Sequence, residues 1–409
     1  MVARAVSRSK AFSGLRPADP SRDMGQIAAL MDEAFGGDLT RPGREALREL
    51  KIMSHFGPFL WLLDRTSPEF HESFRGFVWV EEGRIVGNVN VGRTDPYSSR
   101  WLISNVAVRP DCQGRGIAHH LVQAAIDLAR EHGGEYALLQ VHTDNTSACR
   151  LYQDLGFEQI AAATELHLKR IGKLGNWDIG RLVNWETGKL VHQSTNLPIY
   201  QSTSLPVYQS TSLRRRSYGE WRKEYRLALA AISKEVQWLN PLRADQFRVG
   251  LDQRVSKWLS TLFKGCEEFR WAVEEGGRFV ATLTVHASHW RGHHRLELMV
   301  HPDYRGQLED MLVTKALSIL GDYPERGVVV THPAEHREAI EVLKGYGFTE
   351  KRTLAQMRLA LSKGAEEPRS TGAGEPRSKR ARESSPLHLC TLAPMLRREV
   401  PCENYYCAG

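Results

Sequence analysis

Val106-Ala-Val-Arg-Pro-Asp-Cys-Gln-Gly-Arg-Gly-Ile-Ala118 is the stretch on which the fold of this 409-residue chain turns. Val106, Ala107 and Val108 read as the end of a strand, Arg109-Pro110 stops it, and a helix begins after Gly116. Gly114 and Gly116 let the backbone turn sharply and approach a ligand with no Cβ in the way. The first amides of the helix have no partner within it, and its dipole favours negative charge at that end. Backbone N–H groups from Gln113, Gly114, Arg115, Gly116, Ile117 and Ala118 therefore form a cradle suited to a diphosphate, and Arg109 and Arg115 add positive charge beside it. A glycine pair before a helix also fits a plain strand-to-helix turn, so the surrounding sequence has to decide.

Upstream, Ser21 to Phe35 carries a helical stripe of Ile27, Leu30, Met31 and Ala34. Phe74 to Val80 and Arg84 to Val91 are strand-like runs split by Glu81-Glu82-Gly83, a hairpin signal, and Trp101 to Val108 is a further strand. Downstream, Gly116 to Glu131 places Ala118, Leu121, Val122, Ala125 and Ala129 on one helix face. Tyr136 to Val141 reads as a buried strand, and Thr146 to Leu155 as a short helix.

Two runs now stand in order: Gln113-x-x-Gly116-x-Ala118 after Val-Ala-Val-x-Pro, and Asn145-x-x-Ala148-x-x-x-Tyr152-x-x-x-Gly156-Phe157. Together they resemble the acetyl-CoA loop and the following helix of the GNAT superfamily of N-acetyltransferases, over about Phe12 to Arg170. The resemblance implies a mixed α/β (α+β) fold, a twisted and mostly antiparallel sheet flanked by helices. It also implies acetyl-CoA as co-substrate. By the same likeness the amides from Gln113 to Ala118 hold the CoA diphosphate, the strand at Val106, Ala107 and Val108 pairs with the pantetheine arm, and Asn145 touches the cofactor. Asn145 equally suits a helix N-cap, and the two roles are compatible.

Moving an acetyl group from a thioester to an amine needs a neutral amine, a stabilised oxyanion and a proton for the departing thiolate. Tyr152 shares a helix stripe with Ala148, Leu151 and Leu155, and the family uses a tyrosine here as general acid. A backbone N–H near Val106 or Ala107 is the oxyanion donor that the likeness implies. The base is harder to find. Relatives that modify protein N-termini carry a Glu where this chain has Gln140, which cannot take a proton. His142 lies on the same strand face two residues on and is the candidate base, with Asp95 and Glu33 as others acting through water. A structural histidine is the competing reading of His142.

From about Tyr218 to Leu361 the pattern returns: a helix over Tyr225 to Trp238, strands around Phe269-Arg-Trp-Ala-Val and Arg278 to Val285, then Leu296 to Val300 ending in His301-Pro302. Aligning the strand ends sets Leu308 against Gly116 and Asp310 against Ala118. Aligning Gly347-Phe348 with Gly156-Phe157 sets Leu343 against Tyr152 and His336 against Asn145. The second copy is therefore expected to be degenerate, with Asp310 as a repelling charge at the phosphate end. The domains expected are 12–172, catalytic, and 218–362, degenerate. Around them stand a basic extension, 1–11, a linker at 173–217 built on repeats of Gln-Ser-Thr-x-Leu-Pro-x-Tyr, and a Pro-, Arg- and Ser-rich tail at 363–409.

Bulk composition narrows the partners. Hydrophobic residues at 41% and charged residues at 25% describe a globular chain, and no apolar run approaches the roughly 18–20 residues of a membrane span. The net charge of +7 suits anions, a polyanionic co-substrate among them. Lys379-Arg380-Ala381-Arg382 reads as a solvated charge run, so neither nucleic acid nor membrane is an expected partner. His286, His289, His293, His294 and His301 lack the spacing of a metal site, and no metal is expected. Six cysteines without a CxxC pair point to a reducing cytoplasm. The expected acceptor is a small molecule bearing a primary amine. A protein N-terminus or lysine is the alternative, a non-catalytic acetyl-CoA-binding module is a second, and a homodimer stays open.

Overall fold

A computed structural model of the chain describes residues 12–35, 41–54, 56, 65–66, 75–94, 98–170, 183–184, 189–190, 212–248, 266–290 and 292–361. The extension at 1–11, nearly all of the stretch read as a linker, and the tail at 363–409 lie outside them. The described residues form two compact units, one of 12–159 with 356–361 and the other of 160–355.

Unit 1 starts with β1 (Gly14–Pro17), α1 (Pro20–Phe35) and α2 (Arg41–Met53), then the hairpin β2 (Gly76–Glu81) and β3 (Arg84–Arg93). Glu82 and Gly83, both at positive φ, make the turn. β4 (Arg100–Val108) follows, then α3 (Ile117–Glu131), β5 (Tyr136–His142) and α4 (Thr146–Asp154). The strands run in the order β1-β2-β3-β4-β5, antiparallel except for the β4–β5 pair. Leu121, Val122, Ala125, Ile126 and Ala129 are the buried stripe of α3, as the 3.6-residue period requires. α3 packs tightly over β3 because position 87 is glycine. A Cβ there would lie 2.8 Å from Leu121 Cδ1 and 3.0 Å from Ile117 Cγ2.

Unit 2 repeats this plan. β6 (Glu158–Leu168) contributes its residues from 160 onward. β7 (Ser212–Arg215), α5 (Trp221–Ala231), α6 (Lys234–Leu239), α7 (Ala244–Phe247), β8 (Cys266–Glu275), β9 (Arg278–Ser288), β10 (His294–Val300), α8 (Glu309–Gly321), β11 (Val328–Pro333), α9 (Arg337–Gly345) and β12 (Thr349–Ala360) follow. The order β7-β8-β9-β10-β11 mirrors unit 1. Individual hydrogen bonds repeat as well. Ala18 N–H to Gly76 C=O is matched by Arg216 N–H to Arg270 C=O, Arg109 to Val86 by His301 to Val280, and Phe157 to Tyr152 by Phe348 to Leu343. These matches fix a residue-by-residue correspondence that does not rest on sequence identity.

The compact units cut across the linear stretches 12–172 and 218–362. β6 pairs antiparallel with β11 in unit 2, Ala163↔Pro333 through Leu168↔Val328, while residues 356–360 of β12 lie beside β5 in unit 1. Each unit is thus completed by a strand from the other half of the sequence. Ser212–Arg215, read as linker, is the edge strand β7, held by antiparallel pairing to β8. The helix expected over Tyr225 to Trp238 is broken at Ile232 and Ser233, between α5 and α6.

Candidate active site

The site begins where β4 and β5 part. Their parallel pairing covers Arg100↔Tyr136, Trp101↔Ala137 and Leu102↔Leu138 only, although β4 continues to Val108 and β5 to His142. Beyond Leu102 the facing backbone groups of the two strands are left for something else to satisfy. The cause is a bulge. Asn105 sits at φ +54°, and the β3–β4 register slips between Asn88↔Ala107 and Asn90↔Ser104. Asn88, 1% exposed, holds the bulge from beneath. Its Nδ2 donates to Asn90 Oδ1 at 3.0 Å and to the Asn105 carbonyl at 3.1 Å. Asn105 Nδ2 approaches Asn90 Oδ1 at 3.4 Å.

Val106, Ala107 and Val108 form the rest of this diverging edge. After them Gln113 Nε2 donates to the Val108 carbonyl at 3.2 Å and folds the loop back on its strand. Gly114 (φ +73°) and Gly116 (φ +77°, the N-cap of α3) take left-handed conformations that favour glycine. A Cβ on either would meet nothing within 4 Å. From Gly114 to Ala118 no backbone N–H has a hydrogen-bond partner among the described residues. The open amides, the clear space above them and the α3 dipole fit a diphosphate. Ile117 contributes its backbone alone, since its side chain is buried under the helix, and Ala118 is half-buried. The two arginines differ from expectation. Arg115 is ion-paired with Glu81 at 2.6 Å and Arg109 with Asp111 at 3.1 Å, so a carboxylate beside each offsets its charge.

Across the gap, Asn145 caps α4, its Oδ1 accepting the Ala148 N–H at 3.1 Å. Tyr152 is 6% exposed and meets Phe157 edge-on at 6.0 Å. Its hydroxyl has no hydrogen-bond partner among the described residues. Burial pushes the phenol's pKa up, so the group is protonated at neutral pH. His142 ends β5 on the half-buried face it shares with Gln140, with Nδ1 3.9 Å from Asp144 Oδ1 and its side chain 34% exposed. Glu33 is exposed on α1, and Asp95 lies outside the described residues. Beneath α1 and α2, Ala18, Met24, Ile27, Met31 and Leu50 line a small cavity whose polar walls are Asn90 and Asn105.

Sequence reading passed over Gly87, Asn88, Asn90 and Asn105. A glycine inside a strand and an Asn-x-Asn pair on β3 were the available signals. Only the register slip gives them meaning. No group of three or more His, Cys, Asp or Glu able to hold a metal occurs among the described residues. Within the same limits no helix is long and apolar enough to cross a membrane.

Residues 44–157 match the acetyltransferase (GNAT) family. The N-alpha-acetyltransferase RimI of Mycobacterium tuberculosis is 30% identical over 128 residues, which cover 30% of this chain and 78% of that relative. A mycothiol acetyltransferase of Saccharomonospora viridis is 34% identical over 93 residues, 21% of this chain and 30% of that relative. The GCN5-related glucosamine N-acetyltransferase region of a fungal multi-domain GH3 β-N-acetylglucosaminidase shares the fold at a TM-score of 0.50 and 14% identity, over 87% of this chain and 39% of that one. With the split strands, the open amide loop and these likenesses together, the chain belongs to the GNAT family of acetyltransferases, N-acetyltransferases that take acetyl-CoA as co-substrate.

Proposed function

We propose that unit 1 transfers an acetyl group from acetyl-CoA to a primary amine by direct attack, with Tyr152 as general acid. The amides from Gly114 to Ala118, together with the Gln113 turn, grip the diphosphate. The backbone of Val106 to Val108 pairs with the pantetheine arm, and Asn145 flanks it. The amine nitrogen bonds to the acetyl carbon, the carbon–sulfur bond breaks, and the sulfur takes the Tyr152 proton. The carrying observation is a buried phenol, kept protonated by its surroundings, whose hydroxyl is uncommitted. A general acid so placed contributes about 10²–10⁴-fold.

An alkyl ammonium has a pKa of about 10.4, so a base must prepare it. We assign that role to His142, whose ring stands at the end of β5, 34% exposed and open to a water that could carry the proton away. The cavity bounded by Asn90 and Asn105 is the approach for the acceptor. A small amine-bearing molecule fits this reading, and the mycothiol acetyltransferase likeness agrees with it. The longer match to an N-alpha-acetyltransferase favours a second acceptor, the α-amine of a protein. The free thiols of Cys112, Cys149 and Cys266 suit a reducing, cytoplasmic setting. Release of free CoA thiol, measured with panels of small amines and of peptides, tests the proposal. Acceptor-dependent release is expected. Tight acetyl-CoA binding with no release for any amine would leave a non-catalytic binding module.

A further inference from the structure

We propose that three asparagines of unit 1 set which amines it acetylates: Asn88 orients Asn90 and Asn105 so that the acceptor cavity offers one hydrogen-bond donor and one acceptor, a pair matched by an amide group carried beside the amine. This rests on the reading that the cavity receives the acceptor.

The orientations follow in a chain from one backbone atom. A carbonyl oxygen only accepts, so Asn88 turns its Nδ2 to the Asn105 carbonyl, at 3.1 Å. The other hydrogen of that Nδ2 goes to Asn90 at 3.0 Å, which makes the Asn90 atom facing it Oδ1. Asn105 approaches the same Oδ1 at 3.4 Å, and therefore with its own Nδ2. Turning the Asn88 amide over would set its Oδ1 against the Asn105 carbonyl in a place that is 1% exposed, and the unpaired groups would cost free energy. Two atoms remain for a ligand. Asn90 Nδ2 can only donate, Asn105 Oδ1 can only accept, and neither has a hydrogen-bond partner among the described residues.

Asn90 and Asn105 are the polar residues of a cavity otherwise walled by apolar side chains, Met24, Ile27, Met31 and Leu50 among them, and none of the described residues lining it is charged. In such surroundings a polar group without a partner is costly, and an unpaired charge more so. A fitting acceptor brings an apolar body and a neutral group whose oxygen takes the Asn90 hydrogen while its N–H reaches Asn105. An amide does both.

Unit 2 supplies the contrast. With Val280 at the place of Val86, Thr282 and Thr284 stand where unit 1 has Asn88 and Asn90. The β9–β10 pairing runs from Ala281↔Val300 to His286↔Arg295 without a slip, and Thr284 Oγ1 already accepts from the buried Arg216 at 2.8 Å. The relay and its two open atoms belong to the copy that holds the tyrosine.

The test is thiol release by the full chain with leucinamide and with isopentylamine, which keeps the apolar body and lacks the amide. The two amines differ in basicity, but every variant meets that difference alike. The quantity read is therefore the ratio of their kcat/KM values, compared between proteins. Asn90→Asp keeps an oxygen for Asn88 and Asn105 and turns the open donor into an acceptor. The ratio is expected to fall at least about tenfold. Asn88→Ala, at a residue outside the cavity lining, is expected to lower the ratio as well, by freeing the Asn90 amide to turn. A merely structural Asn88 would lower both amines together. An unchanged ratio in Asn90→Asp, whether or not both rates fall, would overturn the proposal, as would a fall there that a folded Asn88→Ala does not share. If Asn88→Ala does not fold, Asn90→Asp decides alone. Should no amine release thiol, the acetyl-transfer reading fails, and calorimetric titration of the same two amines decides on the relay. A wild-type preference for leucinamide that Asn90→Asp loses upholds it, and equal affinities overturn it.

Discussion

The Leu361 backbone N–H donates to the Glu135 carbonyl at 2.8 Å, joining the far end of the described chain to the start of β5 inside unit 1. Around it, Arg130 Nε reaches the Leu361 carbonyl at 3.4 Å and Arg358 lies over the Tyr136 ring at 5.7 Å. Gly156 abuts Leu359. A chain ended after residue 172 lacks all of this and presents β5 as an unpaired edge. We expect it to aggregate, or to melt well below the full chain and bind acetyl-CoA poorly, as read by calorimetry and light scattering. Full-chain melting and affinity in the 1–172 fragment would show that the exchanged strand is dispensable.

Gly116→Leu tests the cradle. A non-glycine residue at φ +77° costs about 1–2 kcal/mol, a modest fall in Tm. No atom lies within 4 Å of the Cβ position, so the side chain would project over the amides that face the ligand. Acetyl-CoA binding by calorimetry is expected to disappear while the protein stays folded. Unchanged affinity would remove the diphosphate from this loop.

His332 sets a pH dependence for unit 2. Burial, with the neighbouring His336, lowers its pKa to about 3, whereas the unfolded chain takes up the proton near 6.5. Between those values the unfolded state holds more protons, so stability falls as pH drops from about 6.5 towards 3, by up to about 1.4 kcal/mol per pH unit. Burial also depresses His294, which adds to the slope in the same direction. From pH 6.5 to 5 most carboxylates stay ionised, so the difference between the wild type and His332→Val isolates this residue. Denaturant melts across that window should show a shallower loss for the variant. Equal slopes would mean that His332 is protonated in the folded protein.

Much of this architecture was legible because it is local. The stripe on α3, the hairpin turn at Glu82-Gly83 and the loop from Gln113 to Gly116 each depend on residues a few positions apart, and they lie where periodicity and turn chemistry put them. The likeness in the run from Asn145 to Phe157 supplied the rest. What could not be read depends on partners remote in sequence. β6 and β12 each present an ordinary strand pattern, and no pattern states which sheet a strand will join. Asn88 and Asn105 are unremarkable polar residues until the β3–β4 register slips between them. Alignment set Leu308 against Gly116 and Asp310 against Ala118 but passed over Glu309. Glu309 occupies an apolar position of the first copy, and its burial is explained only by two histidines brought to it by β11 and α9.

The most direct measurement is CoA-thiol release by Tyr152→Phe, set beside its acetyl-CoA affinity. Removing one hydroxyl from a packed ring leaves the contact with Phe157 in place, so binding should be nearly unchanged. Turnover is expected to fall about 10²–10⁴-fold. Wild-type turnover in the variant, or equal losses of turnover and binding, would contradict a proton-donating Tyr152 and reduce it to a packing residue.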